Sequence, residues 1–310
     1  MSQKNRKKIA LIGAGQIGGT LGLLCGMRSL GDVVLYDVVE GMPQGKALDL
    51  SHLAAVFGLD FSISGTNKLE DIAGSDLCIV TSGLPRKPGM TREDLVKING
   101  DIIRQVADGI KKYAPNSFVI VVTNPLDAMV YLAWKTTGFP SARVVGMAGV
   151  LDSARYEAFL SEALKISNFS ISAMVMGGHG DEMVAVRSLA NASGVPVSKF
   201  LSADQLDGIE KRVAGAGGEI VALLKTGSAF YSPAAAATLM AESYLFDRKN
   251  LLTASALCQG QYGVNGIYFG VPVVIGAGGV EKIVEIELSS QEKSALMASA
   301  AKVKTVVELL

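Results

Sequence analysis

The sequence predicts an α/β protein, a doubly wound parallel sheet followed by an α+β unit. Three observations predict it. Short apolar runs alternate with helical stretches up to about residue 146, the pattern of strands buried on both faces. A glycine-spaced turn, Gly13-Ala14-Gly15-Gln16-Ile17-Gly18, joins the first run to the first helix. Beyond residue 146 the alternation gives way to a mixed order of helices and strands, as in an α+β unit.

In the first half, strands are expected at 8–12, 32–36, 61–64, 77–81, 118–122 and 144–147, with helices at 16–29, 44–55, 92–113 and 126–137. In the second half, a helix at 153–164 leads into a strand at 171–176 and another at 183–186. Helical patterns then cover 203–225 and 233–246, strands return at 251–256 and 271–275, and an amphipathic helix closes the chain at 291–309. No repeat, low-complexity tract or long linker intervenes, so two domains, 1–146 and 147–310, are expected to pack directly together.

Composition narrows the function. The 310 residues are 49% hydrophobic and 19% charged, enough for a sizeable core, and 29 basic residues balance 29 acidic ones. That neutrality argues against a nucleic-acid or membrane-surface partner. No uninterrupted apolar run approaches membrane-spanning length. The basic stretch at 4–8 imitates a secretory leader, but Gly13, Gly15, Gly18 and Gly19 break the apolar segment after it. Cys25, Cys78 and Cys258 have neither metal-ligand spacing nor a disulfide pattern. No metal is expected, and a reducing, cytoplasmic compartment is.

The glycine turn carries a specific chemistry because it follows a strand and opens a helix. The first glycine makes the turn, the second admits a pyrophosphate to the backbone, and the third packs helix on strand. The helix N-terminus then offers free N–H groups to the phosphates. Asp37 ends the next strand, nineteen residues after Gly18. A carboxylate there can bond both ribose hydroxyls and would repel a 2′-phosphate, so the expected cofactor is NAD on a Rossmann-type fold. A P-loop is excluded, because Gly18 is followed by Gly19-Thr20 rather than Lys-Ser/Thr. Tyr131 and Lys135 have the spacing of a short-chain dehydrogenase pair, but they lie on an apolar helix after a different glycine pattern, and core and surface roles are expected.

Of the two histidines, His52 lies on an ordinary amphipathic helix, whereas His179 is framed by Gly177-Gly178 and Gly180-Asp181. Glycines leave a ligand room to reach the ring, although a lone histidine is more often a satisfied polar residue. Asp152 and Arg155 are three apart and share a helix face, which by itself reads most simply as an i,i+3 ion pair.

The set of motifs is more specific than any member. The glycine turn, Pro85-Arg86-Lys87-Pro88-Gly89-Met90-Thr91-Arg92, Thr123-Asn124-Pro125-Leu126-Asp127, Leu151-Asp152-Ser153-Ala154-Arg155 and Gly178-His179-Gly180-Asp181 occur in that order. Together they closely resemble the lactate/malate dehydrogenase family, and the similarity extends to Gly260-Gln261-Tyr262-Gly263 and Pro272–Ala277. The resemblance implies hydride exchange between NAD and a small 2-hydroxy acid. It makes His179 the acid–base, Asp152 its orienting partner, Arg155 the grip on the substrate carboxylate, and Arg92 the group polarising the keto oxygen. Asn124 is expected to bond substrate, and residues 84–92 to close over the site.

The expected cofactor contacts are Gly13, Gly15, Gln16, Ile17, Gly18, Asp37, Thr81, Gly83, Asn99 and Asn124. Arg86 by itself reads as a solvated charge on a Pro- and Gly-rich loop, but the resemblance implies that an Arg at this loop position accompanies a second substrate carboxylate, and a dianion in a closed site does need a second cation. A dicarboxylate, malate or oxaloacetate, is therefore expected, with lactate as the alternative and a non-catalytic NAD-binding protein as a third reading. Family members are dimers or tetramers, so a homo-oligomer is expected. The helix bearing Ala234–Ala237 suits either a partner or a core.

Overall fold

The computed structural model describes residues 6–85 and 91–310, apart from the Arg92 side chain. Arg86 therefore lies outside the described residues, as does the side chain of Arg92.

The first half alternates as expected. Its strands are β1 (Lys8–Ile12), β2 (Asp32–Tyr36), β3 (Ile63–Thr66), β4 (Leu77–Val80), β5 (Phe118–Val121) and β6 (Val144–Gly146), and its helices are α1 (Gln16–Met27), α2 (Met42–Phe57), α3 (Arg92–Tyr113) and α4 (Leu126–Thr137). All six strands are parallel neighbours in the order β3-β2-β1-β4-β5-β6. The order reverses between β1 and β4, which opens a crevice at the strands' carboxyl ends.

The second half contains α5 (Gly149–Leu164), β7 (Ile171–Ser172), β8 (Val175–Met176), β9 (Val184–Ala185), β10 (Asn191–Ala192), β11 (Val195–Pro196), α6 (Ala203–Leu224) and α7 (Tyr231–Leu245). It ends with β12 (Asn250–Gln259), β13 (Asn265–Gly276), β14 (Gly279–Ile283) and α8 (Ser290–Val307). β12 pairs antiparallel with β6 through Ser255 and Gly146, and β13 and β14 extend the same sheet to nine strands. The second half thus covers the edge that β6 would otherwise expose.

Three expectations are corrected. The strand expected at 61–64 lies at Ile63–Thr66, in parallel register with β2. The strand expected at 171–176 is two short strands in separate sheets, parted at 173–174. The helix expected from 153 starts at Gly149, a residue that looks like a turn signal but is small for packing: a Cβ there would lie 2.4 Å from Thr253 Cγ2. Beyond these, β10 and β11, two residues each, are too short to be seen in the sequence, and β14 is a further strand outside those expected, paired antiparallel with β13.

Each face of the sheet has its own core. Leu11, Leu35, Phe118 and Ile120 face one side with Leu21, Ala237 and Met240; Ile12, Val80, Val119 and Val121 face the other with Ile103, Met129 and Tyr268. A third core under α5 and α6 joins Tyr156, Leu160, Leu206 and Val213. Ala234, Ala236 and Ala237 are buried within their own chain. Capping boxes at Thr91/Asp94, Ser202/Gln205 and Ser289/Glu292 start α3, α6 and α8, each such cap being worth about 1 kcal/mol. Lys135 Nζ lies 4.9 Å from the centroid of the Trp134 ring and 5.5 Å from that of Tyr131, which gives this pair a packing role. The three cysteines are buried and free, and burial pushes each thiol up to about 12.

Candidate active site

The crevice at the strand switch is built first from backbone. Gly13 takes φ +114°, in the region that favours glycine, so the chain turns sharply off β1. A Cβ at Gly18 would lie 1.8 Å from the Gly13 carbonyl oxygen, so only glycine lets α1 pack this closely. At Gly15 a Cβ would meet nothing within 4 Å, so the backbone faces open space. The first turn of α1 holds no acidic residue, and its free N–H groups favour an anion.

Asp37 braces this turn. Its Oδ2 accepts from Ala14 N at 2.7 Å and its Oδ1 from Val39 N at 3.0 Å. Each oxygen retains capacity for a further donor. Thr81 Oγ1 donates to Gly13 O at 3.1 Å, tying the end of β4 to the same turn. A groove of about 310 Å³ runs from Gly15, Gln16 and Ile17 past Thr81 and Gly83 to Asn124, under Phe230. Asn99, buried in α3, is one layer further back. Its amide donates to the carbonyls of Leu84 (3.1 Å) and Asn124 (2.7 Å), and its Oδ1 accepts from Leu84 N at 2.8 Å. With both N–H donors engaged, Asn99 holds together the two loops that wall the groove.

The second component is a side-chain cluster. Asp152 and Arg155 share one face of α5, and Ser153 Oγ accepts from Val175 N at 2.9 Å, fixing that helix turn to the strand leading to His179. His179 Nδ1 lies 2.8 Å from Asp152 Oδ2, and Arg155 Nη1 donates to Asp152 Oδ1 at 3.1 Å. Asp152 is only 2% exposed, so both its oxygens are committed to these partners. The carboxylate sets the histidine tautomer: Nδ1 carries the proton that Asp152 accepts, which leaves Nε2 for exchange.

Burial is the largest influence on His179 and opposes its charge, but attraction and hydrogen bonding to Asp152, then the charge of Asp127, outweigh it. The imidazole is therefore held above its ordinary value. Arg155 keeps a buried Nε with no hydrogen-bond partner among the described residues. A buried, unsatisfied guanidinium donor is costly unless an anion meets it.

Both halves of this arrangement have recognisable counterparts. A family model described as lactate/malate dehydrogenase, NAD binding domain, matches residues 7–146, and one described as lactate/malate dehydrogenase, alpha/beta C-terminal domain, matches residues 149–310. The chain belongs to the lactate/malate dehydrogenase family.

Its relatives in the family are close. The chain is 58% identical to malate dehydrogenase 1 of Anaeromyxobacter dehalogenans, over 96% of each chain. It is 54% identical to malate dehydrogenase of Geobacter sulfurreducens, over 98% of this chain and 99% of that one. Among solved structures, malate dehydrogenase of Cryptosporidium parvum superposes with a TM-score of 0.96 at 50% identity. Lactate dehydrogenase of the same organism, complexed with lactic acid and the dinucleotide, also gives 0.96, at 45% identity, and both cover 98% of each chain. The lactate/malate dehydrogenase cofactor is NAD, and the open backbone at Gly15, the unopposed N-terminus of α1 and the Asp37 carboxylate fit such a group.

Several residues of this dehydrogenase site escape the sequence. Lys46 Nζ donates to Gly15 O at 2.7 Å and supports the turn from α2. Thr226, Gly227, Ser228 and Phe230, in the α6–α7 connection, close one side of the groove. Asp127, Ser255 and Ser299 sit behind His179. Only Asp127 falls in a recognisable motif, and in sequence it resembles an ordinary acidic residue in a helix's first turn. His52 is exposed on α2, away from these contacts.

Proposed function

We propose that this chain is an NAD-dependent malate dehydrogenase, interconverting (S)-malate and oxaloacetate. The observation that carries the chemistry is the His179–Asp152–Arg155 constellation, an oriented imidazole beside an unsatisfied buried guanidinium. The substrate rests on Arg86 and on relatives named malate dehydrogenase at 53–58% identity. NADH, when bound, supplies the hydride to the carbonyl carbon. His179 gives its Nε2 proton to the keto oxygen in reduction and takes the hydroxyl proton in oxidation. Asp152 stabilises the imidazolium, and Arg155 holds the carboxylate beside the reacting carbon by two parallel bonds. Arg92 polarises the keto oxygen, Asn124 bonds the substrate, and Arg86 meets the distal carboxylate. Gly13, Gly15, Gln16, Ile17, Gly18, Asp37, Thr81 and Gly83 hold the dinucleotide, with Asn99 bracing the loops around it.

The same proposal divides the chain into an NAD-binding part, 1–146, and a substrate part, 147–310. It places the enzyme in the cytoplasm as a homo-oligomer acting in the tricarboxylic acid cycle. The oligomer is supported by α2, which leaves Leu48, Val56 and Phe57 59–81% exposed. Among the described residues, no helix is long and apolar enough to cross a membrane.

Lactate oxidation is the second reading, because a lactate dehydrogenase shares the fold at a TM-score of 0.96. Kinetics with oxaloacetate and pyruvate side by side separate the two. Oxaloacetate should dominate, and Arg86→Gln should lower its kcat/KM by about two to four orders of magnitude, since an unpaired buried carboxylate costs roughly 3–5 kcal/mol. Pyruvate turnover should hold or rise. An unchanged oxaloacetate-to-pyruvate ratio would falsify the malate assignment.

A further inference from the structure

Beside the glycine turn stands a cation to which the mechanism above gives no part. Lys46, on the second turn of α2, reaches across to α1. Its Nζ donates to Gly15 O at 2.7 Å, the carbonyl that also accepts from Gly19 N at 3.0 Å as α1 begins. The lysine stem crosses α1 at Gly19, where a Cβ would lie 3.2 Å from Nζ and 3.3 Å from Cδ. A glycine inside a helix lowers its stability, and here it gives the lysine its path. The turn is thereby held by opposite charges one residue apart: Asp37 accepts from Ala14 N at 2.7 Å, and Lys46 donates to Gly15 O.

Within the protein this is a poor place for a positive charge. An ammonium beside a helix N-terminus meets the positive end of the helix dipole. The side chain is half-buried, and burial holds the ammonium below its ordinary value, with attraction to Asp37 opposing. Among the described residues no carboxylate pairs with it directly, and one of its three N–H donors is used. A glutamine could reach the same carbonyl without a charge. The charge is accounted for by what the groove receives. Among the described residues none that lines the groove is charged, and Asp37 sets a negative charge at its end. A pyrophosphate brings two more negative charges to the same turn. We propose that Lys46 is a positioning residue for the dinucleotide, fixing the Gly15 carbonyl and setting a positive charge behind the turn that receives the pyrophosphate. This rests on the glycine turn being the cofactor cradle.

Two variants of the full-length protein test the charge apart from the contact. Lys46→Gln keeps a donor for Gly15 O and deletes the charge, whereas Lys46→Met deletes both. Fluorescence titration with NADH at low and high salt reads the difference. At low ionic strength Lys46→Gln should bind NADH about three- to tenfold more weakly than wild type, and the gap should close as salt screens the charge. Lys46→Met should lose at least as much. Thermal midpoints without cofactor should stay near wild type for both. Variants that melt far lower or fail to fold, or that bind NADH equally weakly at every salt concentration, show a packing role and overturn the proposal. So does a Lys46→Gln that binds NADH as wild type does. Gly15→Ala tests the cradle separately, because it leaves Lys46 in place: unchanged NADH binding there removes the turn from the cofactor site, and the proposal falls with it.

Discussion

The two ends of the crevice are built by different means. The cofactor end is mainly backbone: Gly13, Gly15 and Gly18 lie within six residues, and a Cβ would strike the chain at Gly13 and Gly18 but face open space at Gly15. The substrate end is side chains drawn from 124–127, 152–155, 177–179, 255 and 299, segments far apart in the chain. A backbone cradle tolerates change in neighbouring side chains but not an added methyl group. A side-chain cluster accepts small packing changes but loses its function when one charged or titrating group is replaced.

The sharpest way to break this comparison is at His179. Replacing it with Asn should cut kcat by about 10²–10⁴-fold while NADH affinity, measured by fluorescence titration, stays near wild type. A large loss of NADH binding would mean that the two ends are not separable. Arg155→Lys should instead act on substrate affinity. Losing a charged, two-pronged contact worth about 1.5–3 kcal/mol should raise KM for oxaloacetate roughly 10–100-fold, and an unchanged KM would remove Arg155 from the site.

At the cofactor end, Asp37→Ser should lower kcat/KM with NADH by roughly tenfold or more, through loss of a charged hydrogen bond, and narrow the preference over NADPH. Equal use of both cofactors by wild type would sink the role given to Asp37. Two glycine variants then separate folding from binding within one turn. Gly18→Ala forces a methyl group against the Gly13 carbonyl and should cost roughly 1–3 kcal/mol of stability. Gly15→Ala meets open space, so its thermal midpoint without cofactor should stay close to wild type while NADH binding weakens. Equal destabilisation by the two would contradict the geometry.

The smallest effect is on stability against pH. A His179 value raised in the fold means that folding favours the imidazolium. That contribution is complete below the ordinary value of about 6.5 and is lost as pH rises through the raised one. Wild type should therefore lose stability relative to His179→Asn across that window, and parallel melting curves would count against the raised value. In the same window oxaloacetate reduction should slow, because fewer molecules carry the proton it consumes.

By itself, the sequence determined whatever depends on neighbours along the chain. Runs of Val, Ile and Leu specify β1, β2, β4 and β5, and the glycine spacing with Asp37 specifies a dinucleotide cradle, because the extended preference of an apolar, β-branched run and the geometry of a glycine turn are local requirements. The order of its motifs was also enough to show the family resemblance. Only the tertiary structure decided what depends on contacts across the chain. Asp152 and Arg155 could have been a surface ion pair until Asp152 was seen shared with His179, 27 residues away. Asn99 turned out to saturate its donors on two loop carbonyls. Asp127 was an unremarked helix-start residue until the fold brought Ser255, 128 residues on, to its other oxygen. A side chain's charge and hydrogen-bonding capacity are written in the sequence, but the partners that satisfy them are chosen when β12 joins the sheet beside β6 and buries them together.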